Sequence, residues 1–236
     1  MKKVVVYMGN AKVYPMILTA VKSLLNCTDV DAVYVLTDDE HFPNPLPHLI
    51  RTVNVHNQCF FPPSCPNIHP YYSYITLMRA TLSKVLPDEH VVLLLDPDTL
   101  VYHDISGIWD YDISNYFFAA VQETRNNNHT KVPYFNAGVM LMNLDKFRNE
   151  RIDDTIIASL NAKPYEHLEQ DALNFVCDRH ILSLPSEYNA SFVTDPTDVN
   201  RIVHFLSYAK KEWPKYAKHF DAIPWSKFKG VDYHDR

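Results

Sequence analysis

Residues Val91-Val92-Leu93-Leu94-Leu95 form an unbroken apolar run that ends in Asp96-Pro97-Asp98. A strand wetted on one face would alternate apolar and polar side chains; one without alternation is buried on both faces, as in parallel sheets covered by helices. Val4 to Met8 and Ala32 to Leu36 have the same character. Between them, Tyr14 to Leu25 carries apolar residues at 17, 18, 21, 24 and 25, the spacing of a helix that buries one face. Thr52 to Val55 reads as a third strand, and residues 43 to 70 as a long proline-rich connection. Helical periodicity resumes from Tyr74 to Leu86 and returns at Asp153 to Leu160 and Glu169 to Val176. Phe117 to Val121, Ala137 to Asn143 and Ile181 to Leu184 are further strands. Strand, helix, strand order predicts an α/β fold with a mostly parallel central sheet flanked by helices. With no internal repeat and no linker, residues 1–236 read as a single domain.

A chain of 236 residues can bury a sizeable core, so folding requires neither disulfides nor a metal. Its net charge of −6, with Lys and Arg scattered, argues against a nucleic-acid partner, which would call for a basic face. The four cysteines at 27, 59, 65 and 177 read as reduced thiols, with a Cys59–Cys65 pairing as the alternative. The apolar run after Met1 is broken at Gly9-Asn10, too early for a signal peptide, and no stretch approaches the roughly 20 apolar residues that span a bilayer. A cytoplasmic protein is expected, with fortuitous sequons at Asn26, Asn128 and Asn189.

The chemistry concentrates at Asp96 and Asp98. Ligands of open α/β sheets bind at the C-terminal ends of the strands, where the apolar run delivers these two carboxylates. Their mutual repulsion is relieved by a hard divalent cation, whose remaining positions suit phosphate oxygens. A charged turn after a strand would use the same residues. Among enzymes, Asp96-Pro97-Asp98-Thr99 superficially fits the haloacid dehalogenase phosphohydrolases. That family usually places the motif near the N-terminus and completes its site after a Gly-Asp pair; here 95 residues precede Asp96 and the pair is absent.

Several separated motifs fit a different class. Tyr74-x-x-x-x-Arg79 precedes the Asp-x-Asp. After it come Tyr134-Phe-Asn-Ala-Gly-Val-Met-Leu-Met-Asn-Leu144, Glu169-Gln-Asp-x-Leu-Asn174, Leu184-Pro185 with Tyr188-Asn189, and His204-Phe205-Leu206 with Lys210. In this order, over residues 4 to 213, they resemble glycosyltransferase family 8, which includes glycogenins and bacterial lipopolysaccharide galactosyltransferases. The resemblance implies a GT-A (Rossmann-like nucleotide-binding) fold, a nucleotide-sugar donor (usually UDP-linked), Mn²⁺ (with Mg²⁺ as the alternative) and transfer with retention. It makes Asp96, Asp98 and His204 the metal ligands. Arg79 and Lys210 would neutralise the diphosphate, and Asn10 and Tyr14 would hold base and ribose. Asn136, Ala137 and Gly138 would let the sugar approach the backbone, with Glu123 accepting from its hydroxyls. Gln170 would lie near the anomeric carbon, with Glu169 and Asp171 beside it as the catalytic group.

Three departures from the pattern stand out: Ser207 for glycine, Lys210-Lys211-Glu212-Trp213 for Lys-Pro-Trp, and Glu169 for Asp. They keep open a second reading, a nucleotide-sugar-binding protein without transfer activity. Little sequence follows Trp213, so an extension for membrane docking or acceptor recruitment is expected to be missing. The acceptor (a carbohydrate, a lipid-linked sugar or a protein), glucose against galactose, and a monomer against a homodimer are not legible in these residues.

Overall fold

The computed structural model describes residues 1–39, 48–71, 73–123, 133–191, 199, 201–206 and 210–228. In chain order its regular elements are β1 (Val4–Met8), α1 (Tyr14–Cys27), β2 (Ala32–Thr37), β3 (Ile50–Asn54), a 3-10 segment (Ile75–Thr81) continuing into α2 (Leu82–Val85), β4 (Val91–Leu95) and β5 (Thr99–Val101). There follow β6 (Phe118–Gln122), β7 (Phe135–Asn143), α3 (Leu144–Glu150), α4 (Ile152–Ala162), α5 (Leu168–Val176), β8 (Ile181–Leu184), β9 (Ala190–Ser191), β10 (Ile202–His204) and α6 (Trp213–Asp221).

Seven strands form one sheet in the order β3-β2-β1-β4-β7-β6-β8. Only β7 runs against its neighbours. The lack of alternation in β1 and β4 has the expected cause, since each face of the sheet meets its own apolar layer. Val5, Tyr7, Leu93 and Leu95 pack with α1 and α6, while Val4, Val6, Val92 and Leu94 pack with the elements from the 3-10 segment to α5. Both layers are closed to water, and this burial is the main source of stability.

The sequence reading included neither α3 nor α6, and two further differences bear on the site. The helix expected from Tyr74 is a 3-10 segment over Ile75–Thr81 before it becomes α-helical. Leu77 to Thr81 are all buried, and the Thr81 hydroxyl donates to the Met78 carbonyl three residues back (2.8 Å). Packing on all sides, not a one-faced amphipathic period, sets this backbone. Beyond the main sheet, β5-β10-β9 form a small second sheet that the apolar pattern did not announce, because its strands are two or three residues long. All four cysteines are free; Cys65 is buried with its thiol on the Leu160 carbonyl, and Cys59 is exposed. Among the described residues no helix is long and apolar enough to cross a membrane.

Candidate active site

The C-terminal ends of β1, β4 and β6 lie at one edge of the sheet. Because β7 is antiparallel, its N-terminal residues reach the same edge. This topology gathers Asn10 after β1, Asp96 and Asp98 after β4, Glu123 after β6 and Asn136 in β7. The register of β6 on β7 shifts between Ala120 and Gln122, just before Glu123, as bulges do where a side chain is re-aimed. The start of α5 supplies Glu169 and Gln170. Together they line a cavity of about 530 Å³ whose walls also include Met8, Val13, Met16, Tyr71 and Ile75. The lining residue Tyr71 is held by Lys12, whose ammonium donates to the Tyr71 carbonyl (3.2 Å) and lies 4.9 Å from the Tyr71 ring centre.

His204 reaches Asp96 and Asp98 through the small sheet. β5 leaves directly after Asp98 and pairs antiparallel with β10, placing His204 opposite Thr99, while Phe205 N–H donates to the Asp98 carbonyl (2.8 Å). His204 Nε2 stands 3.1 Å from Asp98 Oδ1 and 3.6 Å from Asp96 Oδ2. One ligand atom from each of the three residues falls within 4.8 Å of the others. Burial lowers the His204 pKa, but the facing Asp98 and then Asp96 more than offset it, and the net shift is upward. Two carboxylates and an imidazole are a donor set for a divalent cation such as Mn²⁺.

Charge balance points the same way. Among the described lining residues Arg79 is the one permanent cation, against the carboxylates of Asp96, Asp98, Glu123 and Glu166. An anionic ligand enters such a cleft only with a cation to offset these charges. Arg79 itself is buried and committed. It donates to Asp96 Oδ1 (2.6 Å) and the Ala137 carbonyl (2.6 Å), and its Nε lies 3.3 Å from Glu169 Oε1 without hydrogen-bond geometry. Glu169 is buried beside it, and desolvation outweighs the pull of Arg79, raising its pKa to about 7.

Several expected site residues sit behind the cavity wall, not in it. Tyr14 is buried, its hydroxyl held by Thr37 and Asp39 (2.9 Å to Asp39), so it braces the ends of β1 and β2. Ala137 is buried and contributes only its backbone, N–H to Gln170 Oε1 (2.9 Å) and carbonyl to Arg79. Asp171 accepts from the Tyr134 hydroxyl (2.5 Å) and from His167 N–H (2.8 Å), anchoring the entry to α5. Gly138 does not open the backbone to a sugar; the His204 imidazole occupies that space. Lys210 opens a short 3-10 turn, but its side chain and Ser207 lie outside the described residues. Asn189 and Tyr134, which the sequence marked only as parts of motifs, are hydrogen-bonded into the site: Asn189 Oδ1 meets His204 Nδ1 (3.0 Å), and the Tyr134 hydroxyl accepts from Gln170 Nε2 (3.0 Å).

The chain belongs to glycosyl transferase family 8, whose family model it matches over residues 5–221. It is 29% identical over 171 residues to general stress protein A of Bacillus subtilis, covering 60% of this chain and 59% of that protein. It is 27% identical over 199 residues to glycosyltransferase GlyE of Streptococcus pneumoniae, covering 80% of this chain and 48% of that one. The chain thus spans about half the length of the curated relatives it matches. The crystal structure of GlyE superposes with a TM-score of 0.73 at 21% identity, over 96% of this chain and 62% of that one. That of galactosyltransferase LgtC, in complex with donor and acceptor sugar analogues, gives 0.71 at 20% identity, over 94% and 98%. At these identities the superpositions show the fold, GT-A. Family membership displaces the phosphohydrolase reading of Asp96-Pro97-Asp98.

Proposed function

We propose that this chain is a metal-dependent, retaining hexosyltransferase that moves glucose or galactose from a UDP-sugar to a carbohydrate, lipid-linked sugar or protein acceptor. The observation that carries the reading is the convergence of Asp96, Asp98 and His204 within 4.8 Å at the edge of the large cavity. These residues would hold Mn²⁺, which when bound offsets the charge of the diphosphate as it leaves. The remaining lining suits a nucleoside. Met8, Val13, Met16 and Ile75 offer apolar surface, Tyr71 an aromatic face, and Asn10 an amide that both donates and accepts.

In the reaction the bond from the anomeric carbon to the β-phosphate oxygen breaks, and a bond from that carbon to the acceptor oxygen forms on the same face. The acceptor proton passes to the departing phosphate oxygen. A double displacement would require a side-chain nucleophile on the opposite face. Gln170 is a weak nucleophile, and both ends of its amide are tied, to Ala137 N–H and to Tyr134. Glu169 is turned into its buried contact with Arg79. Both observations favour front-side departure, with Gln170 and Glu123 as polar contacts for the sugar.

The test is release of UDP from UDP-glucose and from UDP-galactose, with Mn²⁺ or with chelator, in wild type and Asp98→Asn. Slow donor hydrolysis needs no known acceptor. Mn²⁺-dependent release that is lost in Asp98→Asn supports the reading and identifies the preferred sugar. Metal-dependent UDP-sugar binding without release, even with acceptors offered, would instead support a nucleotide-sugar-binding protein. Absence of binding would overturn both readings.

A further inference from the structure

A chain of hydrogen bonds leaves the His204 imidazole on the side away from Asp98. His204 Nδ1 is 3.0 Å from Asn189 Oδ1, Asn189 Nδ2 is 2.8 Å from Asn136 Oδ1, and Asn136 Nδ2 is 2.7 Å from Glu123 Oε1. Asn136 Oδ1 also receives Gly138 N–H at 2.9 Å. Amides and imidazoles can each be turned end for end, so the direction of such a chain needs an anchor that cannot reverse. Here there are two. A backbone N–H only donates, and an ionised carboxylate only accepts. Gly138 therefore requires the Asn136 oxygen on its side, and Glu123 requires the Asn136 nitrogen on the other. With Asn136 Oδ1 fixed as an acceptor, Asn189 must present its nitrogen there and its oxygen to His204. His204 must then carry a proton on Nδ1.

From this we infer that Asn189 is a positioning residue that holds His204 as its Nδ1–H tautomer, leaving the Nε2 lone pair for a divalent cation beside Asp96 and Asp98. The opposite tautomer would put a proton where the metal binds and two lone pairs face to face between His204 and Asn189. The same relay ends on Glu123, which Gln170 Nε2 also approaches (3.5 Å). Asn136 and Asn189 thus join the metal-binding residues to the polar groups proposed to face the sugar. Backbone geometry sustains the arrangement: β9 pairs parallel with β10, Ser191 opposite His204, and Asn189 lies two residues before Ser191, just ahead of the same short strand.

The inference rests on the metal-binding reading of Asp96, Asp98 and His204, and the experiment separates the two. Mn²⁺ affinity is measured by calorimetry for wild type, Asn189→Ala and Asn189→Asp. The His204 ring nitrogens are followed by ¹⁵N NMR in metal-free protein carrying Asp98→Ala, which removes the carboxylate that otherwise accepts from Nε2 at 3.1 Å, in alkaline buffer where the ring is neutral. With Asn189 in place, that protein is expected to show Nδ1 protonated. Asn189→Ala should lose that signature and weaken Mn²⁺ binding by roughly 10- to 100-fold, the usual range for partners that orient a metal-binding histidine. Asn189→Asp keeps an acceptor for Nδ1–H but cannot donate to Asn136, so it should retain both the tautomer and Mn²⁺ affinity while weakening UDP-sugar binding. Unchanged affinity and tautomer in Asn189→Ala would overturn the relay, as would a loss in Asn189→Asp as large as in Asn189→Ala. Failure of wild type to bind Mn²⁺ would sink the metal reading instead, with the tautomer still testing the relay.

Discussion

The His204 imidazole lies across the Cα of Gly138, so closely that a methyl group at 138 would sit 2.2 Å from His204 Cε1 and 2.6 Å from Nδ1. The same methyl would come within 2.9 Å of Asn136 Oδ1. Gly138 is paired in the sheet, its carbonyl accepting Asp96 N–H (2.8 Å), so the backbone has little room to withdraw. The ring would have to move, and with it Nε2. Gly138→Ala is therefore expected to weaken Mn²⁺ binding by at least about tenfold and to lower stability by about 1–3 kcal/mol, as overpacking does. Calorimetric Mn²⁺ titration and urea denaturation check the two effects; wild-type metal affinity in the variant would show that the ring tolerates displacement.

Arg79 is the counter-charge for Asp96 and Glu169 inside the protein. Removing one partner from a buried charge cluster leaves the others uncompensated, at a cost of about 3–5 kcal/mol. Arg79→Met should destabilise the metal-free protein on that scale. The double variant Arg79→Met/Asp96→Asn should recover part of the loss, because the stranded carboxylate is then replaced by a neutral amide. Equilibrium denaturation of the four proteins in the cycle measures the coupling, and strictly additive losses would refute it.

Glu169 makes stability depend on pH in an unusual direction. Its folded-state pKa is about 7, against 4.5 for the free side chain, so between these values the folded chain holds a proton that the unfolded chain has released. Stability then falls as pH rises through this window, by up to about 1.4 kcal/mol per pH unit. His204, also raised, acts with the same sign: its contribution is complete below its unfolded pKa and is lost as pH climbs through the folded value. Asp145 acts in the opposite sense, because the hydrogen bond from Arg148 holds its carboxyl below the usual carboxylate range, outside this window. The Tm of metal-free protein should therefore fall from about pH 5 to about pH 7.5, and less steeply in Glu169→Gln. An equal slope in that variant would place the effect elsewhere.

The sheet was legible because burial on both faces writes itself as uninterrupted apolar runs, and β4 and β8 match their expected bounds, Val91–Leu95 and Ile181–Leu184. The small sheet was not, since two- and three-residue strands have no period to read. The candidate metal cluster was legible in part: Asp96 and Asp98 are neighbours in sequence, whereas His204 joins them only through β10, and the family motif, not periodicity, pointed to it. The distinction between residues that face the cavity and residues that brace it was invisible. Asp171 and Gln170 are adjacent in one motif, yet the helix turns one toward Tyr134 and His167 and the other toward Glu123. Gly138 was singled out as room for a sugar, but a histidine 66 positions later in the sequence fills the space.

Tyr134 offers a way to disturb the side proposed to face the sugar without touching the side proposed to hold the metal. Its hydroxyl donates to Asp171 Oδ1 and accepts from Gln170 Nε2, fixing that amide while its other end holds Ala137 N–H. Burial first, and then the neighbouring Asp171, push the Tyr134 pKa upward, so the phenol stays a donor throughout the working pH range. Tyr134→Phe removes both bonds with almost no change of shape. Gln170 Nε2 is then left with Glu123 at 3.5 Å, near the limit of a hydrogen bond. UDP release from the donor should fall about tenfold, corresponding to the ~1.4 kcal/mol of one well-placed hydrogen bond, with the loss in kcat and little change in KM. Mn²⁺ affinity should be unchanged, because no atom of Tyr134 enters the relay through Asn136 and Asn189. A variant that lost Mn²⁺ binding together with turnover would show that the two sides of the site are mechanically one unit, and a variant with wild-type kcat would remove Gln170 orientation from the reaction altogether.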